Sequence, residues 1–214
     1  MTSPDYSFRW NNYRHPNLVA AFDFSTLTPG GLMKNMTGDS TYDATINGTL
    51  VLANPLIKAK KTKCMDFDGA TNYLSLTNPV NGLTDLSIIF WGNMDALTGV
   101  EFSRAGGAAW RIYNNGGRLD FPAGGPISPS HFIIGQSIML ACIRYSSGYG
   151  YIYYNGIMEA YGVVPACPAD VSAYIGQWFD GTEKINGRID NMLFFNIALT
   201  QDKLKSLFRS ANPR

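Results

Sequence analysis

Carboxylates are the residues best suited to chemistry in this sequence, and their kinds are uneven: thirteen are aspartates, and only Glu101, Glu159 and Glu183 are glutamates. Acid–base cleavage of a glycosidic bond needs two carboxyl groups flanking the bond, about 5–5.5 Å apart for retention or about 6.5–9.5 Å for inversion, in environments that split their pKa values. Three scattered glutamates supply no such pair, which leaves only aspartate pairs for that chemistry. Thiol catalysis is no better provided for. Cys64, Cys142 and Cys167 have only His15 and His131 as imidazole partners, and no local motif joins a histidine to a cysteine. The cysteines also lack the paired spacing of a structural zinc site. An odd cysteine count without a disulfide framework fits a chain folded in a reducing compartment, with Cys142 a small buried side chain in the apolar run 138–143.

Contact chemistry is better represented. Sugar recognition combines an aromatic platform with amides and acids that fix orientation. Trp178, Phe179 and Asp180, within Gln177-Trp-Phe-Asp-Gly181, form one candidate ligand-binding patch, and Trp110 with Asn114 and Asn115 forms a second. Packing is the competing role for Trp178, since a tryptophan at a strand end commonly buries most of its area. Residues 1–17 read as an extended arm in which Tyr6, Phe8, Trp10 and Tyr13 interleave with Arg9 and Arg14. These types are enriched at protein interfaces, so the arm either packs on its own domain or docks on a neighbouring chain.

The elements that must position these residues are mostly strands. With 214 residues, 15% charged, 13% aromatic, 22 Gly and 11 Pro, the composition is that of one turn-rich all-β domain, 18–214, with ample material for a core. A net charge of +1 gives no field to recruit nucleic acid or an anionic membrane, and no apolar run approaches a membrane span. Strand patterns cover 18–24, 64–67, 73–76, 86–94, 138–145 and 187–196. Two hairpins are signalled, one around Asn114-Asn-Gly-Gly117 and one around Asn155-Gly156, the dipeptide that most readily takes the positive φ angles of a type I′ turn. About a dozen strands at this spacing imply a sandwich or barrel. Thr200 caps a short closing helix whose Leu204, Leu207 and Phe208 share one face. The lysines from Lys58 to Lys63 read as a solvated loop or edge guard.

The segments Met65-Asp-Phe-Asp-Gly-Ala-Thr-Asn-Tyr-Leu-Ser-Leu76, Leu86-Ser-Ile-Ile-Phe-Trp-Gly92, Tyr151-Ile-Tyr-Tyr-Asn-Gly156, Tyr174-Ile-Gly176 and Ile185-Asn-Gly-Arg-Ile-Asp190 onward to Leu199 resemble, in order and spacing, the laminin G-like, concanavalin A-like lectin/glucanase superfamily over about residues 18–208. The resemblance implies a jelly-roll sandwich of two antiparallel sheets with a short C-terminal helix. It does not choose a function, because one fold hosts many. Hydrolase relatives carry Glu-x-Asp-x-x-Glu on one strand, a segment lacking here, so the chain is expected to be no enzyme. Relatives often hold one structural calcium, and the matching positions are Asp39 and Asp190, with Asp43 a neighbour. Where relatives have a further acid after Phe-Asp-Gly, this sequence has Asn72.

A jelly roll that starts at a methionine without an export signal fits a protein folded in a host cytoplasm and released by lysis. The expectation is therefore a non-catalytic bacteriophage-type virion component, a capsid decoration or tail appendage protein. Its arm would hold neighbouring structural subunits or a second copy, and its jelly roll would face outward, with a surface glycan as a further partner. The alternative is a free lectin or adhesin module acting outside the cell or at its surface.

Overall fold

A computed structural model of the chain describes residues 15–24, 31–49, 51–56, 63–104, 111–116, 118–121, 125–131, 133–169 and 172–211. The arm residues Tyr6, Phe8, Arg9, Trp10, Tyr13 and Arg14, Trp110 and the lysines from Lys58 to Lys61 lie outside them. The described residues form two antiparallel sheets of eight strands each, as expected for a jelly roll. The first sheet runs β14 (Ile157–Val163), β13 (Tyr149–Tyr154), β12 (Ile138–Arg144), β7 (Leu86–Met94), β16 (Asn186–Phe195), β5 (Cys64–Asp68) and β4 (Val51–Ala53), with β1 (Leu18–Asp23) also paired to β16. The second runs β11 (Ile127–His131), β10 (Arg118–Asp120), β9 (Arg111–Asn115), β8 (Thr98–Arg104), β15 (Ser172–Ile175), β6 (Tyr73–Thr77), β3 (Ala44–Asn47) and β2 (Leu32–Met33). The Asn155-Gly156 turn is as the sequence indicates, with φ of 52° and 79° joining Tyr154 to its partner Ile157. The other hairpin is tighter than expected. Asn114 and Asn115 stay in β9, and Asn115 pairs directly with Arg118.

Two apolar clusters hold the sheets. Between them, Phe22, Phe24, Phe67, Phe90, Phe102 and Phe194 are fully buried, and Phe102 of β8 meets Phe194 of β16 across the gap at 5.2 Å. Burying each such ring contributes roughly 1.5–3 kcal/mol. The second cluster lies on the outer face of the first sheet, where Ile89, Trp91, Met139, Ala141, Leu193 and Phe195 are covered by Leu204, Leu207 and Ala211 of α1 (Gln201–Ala211). Thr200 starts this helix as expected, its carbonyl accepting from Leu204 N–H at 3.1 Å. Every residue of β7 is consequently buried, which explains its unbroken apolar reading.

Of the buried charged residues, Glu101 has no counter-ion or hydrogen bond at either carboxylate oxygen among the described residues. It sits at a bulge in β8, the extra residue between the pairs Val100–Tyr113 and Phe102–Ile112, and is 0% exposed. Burial pushes its carboxyl well above the ordinary carboxylate range, against the weaker pull of the Glu101 and Asn114 N–H groups. Its charge also reaches Cys142 and Tyr154 of the first sheet, adding to the rise that burial causes in both.

A carboxyl raised on folding binds its proton more tightly in the native state. Its contribution is therefore intact below the unfolded glutamate pKa of about 4.3 and is lost as pH climbs from there through the folded pKa. Glu101→Gln should raise the melting temperature at neutral pH, with a gain that shrinks toward pH 4. Thermal melts across pH 4–8 check this, and equal curves for both proteins would contradict it.

Candidate functional site

The outer face of the second sheet carries no helix among the described residues. Strand alternation sends Phe102, Ile112, Ala173, Ile175, Leu74 and Leu76 into the core and leaves their neighbours facing out. Cross-strand pairing aligns the outward set into one row: Arg111 with Ser103, Ser103 with Tyr174, Tyr174 with Ser75, and Ser75 with Thr45. Beside this row Tyr73 and Tyr174 lie 6.2 Å apart.

Arg111 organises one end of the face. Its guanidinium carbon stands 4.0 Å from the Tyr113 ring centroid and 4.6 Å from that of Trp178, and its Nη1 reaches Glu183 Oε2 at 2.7 Å. Stacking of this kind is worth about 0.5–2 kcal/mol; the ion pair adds little, because Glu183 is partly in solvent. Tyr113 donates its hydroxyl to the same carboxylate, and burial together with that negative charge raises its pKa. Asp120, the cross-strand partner of Tyr113, is only 8% exposed. Burial raises its carboxyl and Arg111 pulls it back. Oδ1 of Asp120 and Nε of Arg111 are both buried without a hydrogen-bond partner among the described residues.

The loop that delivers Trp178 and Glu183 is a closed 176–185 excursion between β15 and β16. Ile185 N–H donates to Gly176 O and Trp178 N–H to Thr182 O, both at 3.0 Å. Asp180 Oδ1 accepts from Thr182 N–H at 2.9 Å and Thr182 Oγ1 at 2.6 Å, bonds that lower its pKa. Glu183 adopts φ of +48°, an uncommon conformation for a residue with a Cβ, and Val100 N–H fixes it by donating to its carbonyl at 2.9 Å. Lys184 lies 5.6 Å from the Tyr73 centroid and donates to Ala70 O at 2.6 Å.

Of the two patches expected from sequence, only Trp178 of the first touches Arg111; in the second, Trp110 lies outside the described residues. Trp178 is 7% exposed and backs Arg111, with Phe179 edge-on at 4.8 Å. Phe179 is half-buried and Asp180 exposed. Asn114 is a correction: alternation turns its side chain inward, it is 1% exposed, and its amide donates to Ala96 O at 3.4 Å. Asn115 is exposed. Arg111, Tyr113, Asp120 and Glu183 were not foreseen as site residues. Period-two spacing on the hairpin could have placed the first three on one face.

The aspartates matched to a calcium site each accept hydrogen bonds within the fold. Asp39 Oδ1 accepts from Thr41 N–H at 2.9 Å, and Asp43 binds Lys34 at 2.6 Å and Asn35 N–H at 2.9 Å. Asp190 lies at a bulge in β16, where its Oδ2 accepts from Leu56 N–H at 2.7 Å. Among the described residues no three His, Cys, Asp or Glu side chains gather in one place. Asn72 is in place as an amide, since its Nδ2 donates to the carbonyls of Thr49 and Asp66 at 3.1 and 3.2 Å, which a carboxylate could not do. With these carboxylates engaged in hydrogen bonds of the fold, a chelator should leave the melting temperature unchanged. A fall on adding EDTA, restored by calcium, would contradict this, because an ion held only by the native state raises stability.

Comparison with known proteins agrees with this architecture. The family model described as the concanavalin A-like lectin/glucanases superfamily matches residues 68–205. Domain 4 of an extracellular arabinanase from Geobacillus stearothermophilus, solved with arabinotriose, is similar with a TM-score of 0.69 at 19% identity, over 89% of this chain and 98% of that domain. The binding domain of Paraclostridial Mosquitocidal Protein 1 gives 0.69 at 12% identity, over 91% of this chain and 52% of its own length. That of botulinum neurotoxin DC, solved with rat synaptotagmin II, gives 0.68 at 14%, over 92% and 52%. The chain thus spans about half of each toxin binding domain. No curated protein matches the sequence.

Proposed function

We propose that this chain, which belongs to the concanavalin A-like lectin/glucanase superfamily, is a non-catalytic module that binds a glycan on the outer face of its second sheet. The observation that carries the reading is the Arg111 cluster. A guanidinium stacked between Tyr113 and Trp178, with the carboxylates of Glu183 and Asp120 beside it, offers the mix of aromatic surface and oriented polar groups that suits a small polar ligand. An apolar protein partner would call instead for an exposed apolar centre. The arabinanase domain, which shares the fold along its whole length and was solved with arabinotriose, supports the choice of a sugar. A glycan array should show specific binding, and Arg111→Ala should weaken it by at least tenfold while the protein stays folded by circular dichroism. Silence across the array, or a variant that binds as well as the parent, would overturn the reading.

A narrower proposal, that the module is a phage-type virion surface protein, draws on where the arm is rooted. The His15 ring packs edge-on against Phe195 at 5.5 Å, on the outer face of the first sheet and so on the side opposite the Arg111 cluster. An arm leaving from that side would anchor the module to a capsid or tail neighbour and leave the glycan face outward. Removing residues 2–16 should abolish incorporation into particles without changing glycan affinity. Unchanged incorporation would contradict the anchoring role.

A further inference from the structure

Strand β14 ends the first sheet, with β13 on one side and, among the described residues, no strand paired to its other edge. The other strands that end a sheet are poor templates for pairing. Strand β4 has three residues and β2 two, and β11 carries Pro129, which has no N–H to donate. Strand β14 has seven residues and no proline, and its Ile157, Met158, Tyr161 and Val163 are all exposed. Tyr161 and Val163 are the most open of these, at 63% and 69%. A long, apolar, exposed edge of this kind is a site for pairing with another chain.

The backbone shows which groups face that edge. Inter-strand hydrogen bonds alternate along an antiparallel pair. Tyr145 N–H donates to Tyr149 O at 2.9 Å between β12 and β13, and Val164 N–H donates to Gly148 O at 2.8 Å just beyond β14. Alternation from these bonds gives Tyr151 to β12, and gives Gly150 and Ile152 to β14, where their partners are Gly162 and Ala160. Tyr161 and Val163 therefore turn their N–H and C=O groups away from β13, toward the open edge.

These two residues complement each other about a two-fold axis at Gly162. Tyr161 of one copy then lies opposite Val163 of the second, and the reverse. Each such pair exchanges two backbone hydrogen bonds and sets an aromatic ring beside a β-branched side chain, a favourable cross-strand pair. Glycine puts no side chain at the axis. The one charge on the strand, Glu159, falls opposite Pro165 of the second copy and not opposite its own equivalent, so the like-charge penalty of a direct pair does not arise.

We infer that β14 is a dimerisation edge, along which a second copy of the chain adds antiparallel and joins the two first sheets into one. Directly opposed residues of an antiparallel pair project to the same side of the sheet. Both copies of α1 consequently lie on one side of the joined sheet and both second sheets on the other. The two Arg111 clusters face the same way, which on the glycan reading raises avidity without any new contact to the ligand.

Sedimentation velocity of the full chain between about 1 μM and about 300 μM, where weak association is readable, tests the inference. The mass should rise from 23.5 kDa toward twice that value. Val163→Pro deletes an edge N–H that β13 does not use, and Tyr161→Lys places a cation on the edge, a common guard against pairing. Each should weaken dimerisation at least tenfold with the circular dichroism spectrum unchanged. A chain that stays monomeric throughout, or a dimer that survives both substitutions, would overturn the inference. Neither result bears on glycan binding by a single copy, which the array reads separately.

Discussion

The two-residue period of the β-strand sets everything else in this molecule. Each sheet has two faces, both inner faces are consumed by the shared core, and among the described residues one amphipathic α-helix is available for the two outer faces. Helix α1 lies on the first sheet, where Ile89, Trp91, Met139 and Leu193 require cover. The second sheet must face outward with residues that tolerate water. Its outward residues Arg111, Tyr174, Ser75 and Thr45 are polar for that reason, while Ser103 among them is buried with its hydroxyl donating to Gln177 O; we propose this polar face with its tyrosines as a surface on which a sugar can lie. Packing and the proposed function thus follow from one division of faces.

Holding a specific arrangement on that open face requires fixed side chains. Arg111 is immobilised by two aromatic rings and a carboxylate, and the 176–185 loop that brings Trp178 and Glu183 to it is closed by its own backbone hydrogen bonds. The left-handed conformation of Glu183 costs conformational energy that the surrounding contacts must offset. Glu101 reflects a related tension beneath the face. Its bulge lies in β8, the strand between β9 and β15, and its buried carboxyl, raised by burial, ties the stability of the second sheet to pH.

Much of the first sheet was legible in the sequence because both its faces are apolar. The run in β7 and the Asn155-Gly156 turn each carry a strong local signal, and α1 shows a clear helical face. Strand β8 was not legible: Thr-Gly-Val-Glu-Phe-Ser-Arg contains a glycine and a buried glutamate, and the bulge at Glu101 breaks the alternation. Strand β11 contains a proline and β2 has only two residues, so neither forms a pattern. At the site, Trp178 drew attention by residue type, but residue type does not report that its ring is stacked behind an arginine. Glu183 is 72 residues from Arg111, and nothing local predicts a contact made by closing two loops together. The aspartates that resemble a calcium set serve the fold, with Asp190 tying Leu56 to the β16 bulge.

The open face of the second sheet as the binding surface is tested most directly by hydrogen–deuterium exchange with and without a bound neutral oligosaccharide. Protection should appear in β9, β15 and the 176–185 loop, with β12 and α1 unchanged. Protection centred on α1 and the outer face of the first sheet, with the 176–185 loop unaffected, would contradict it.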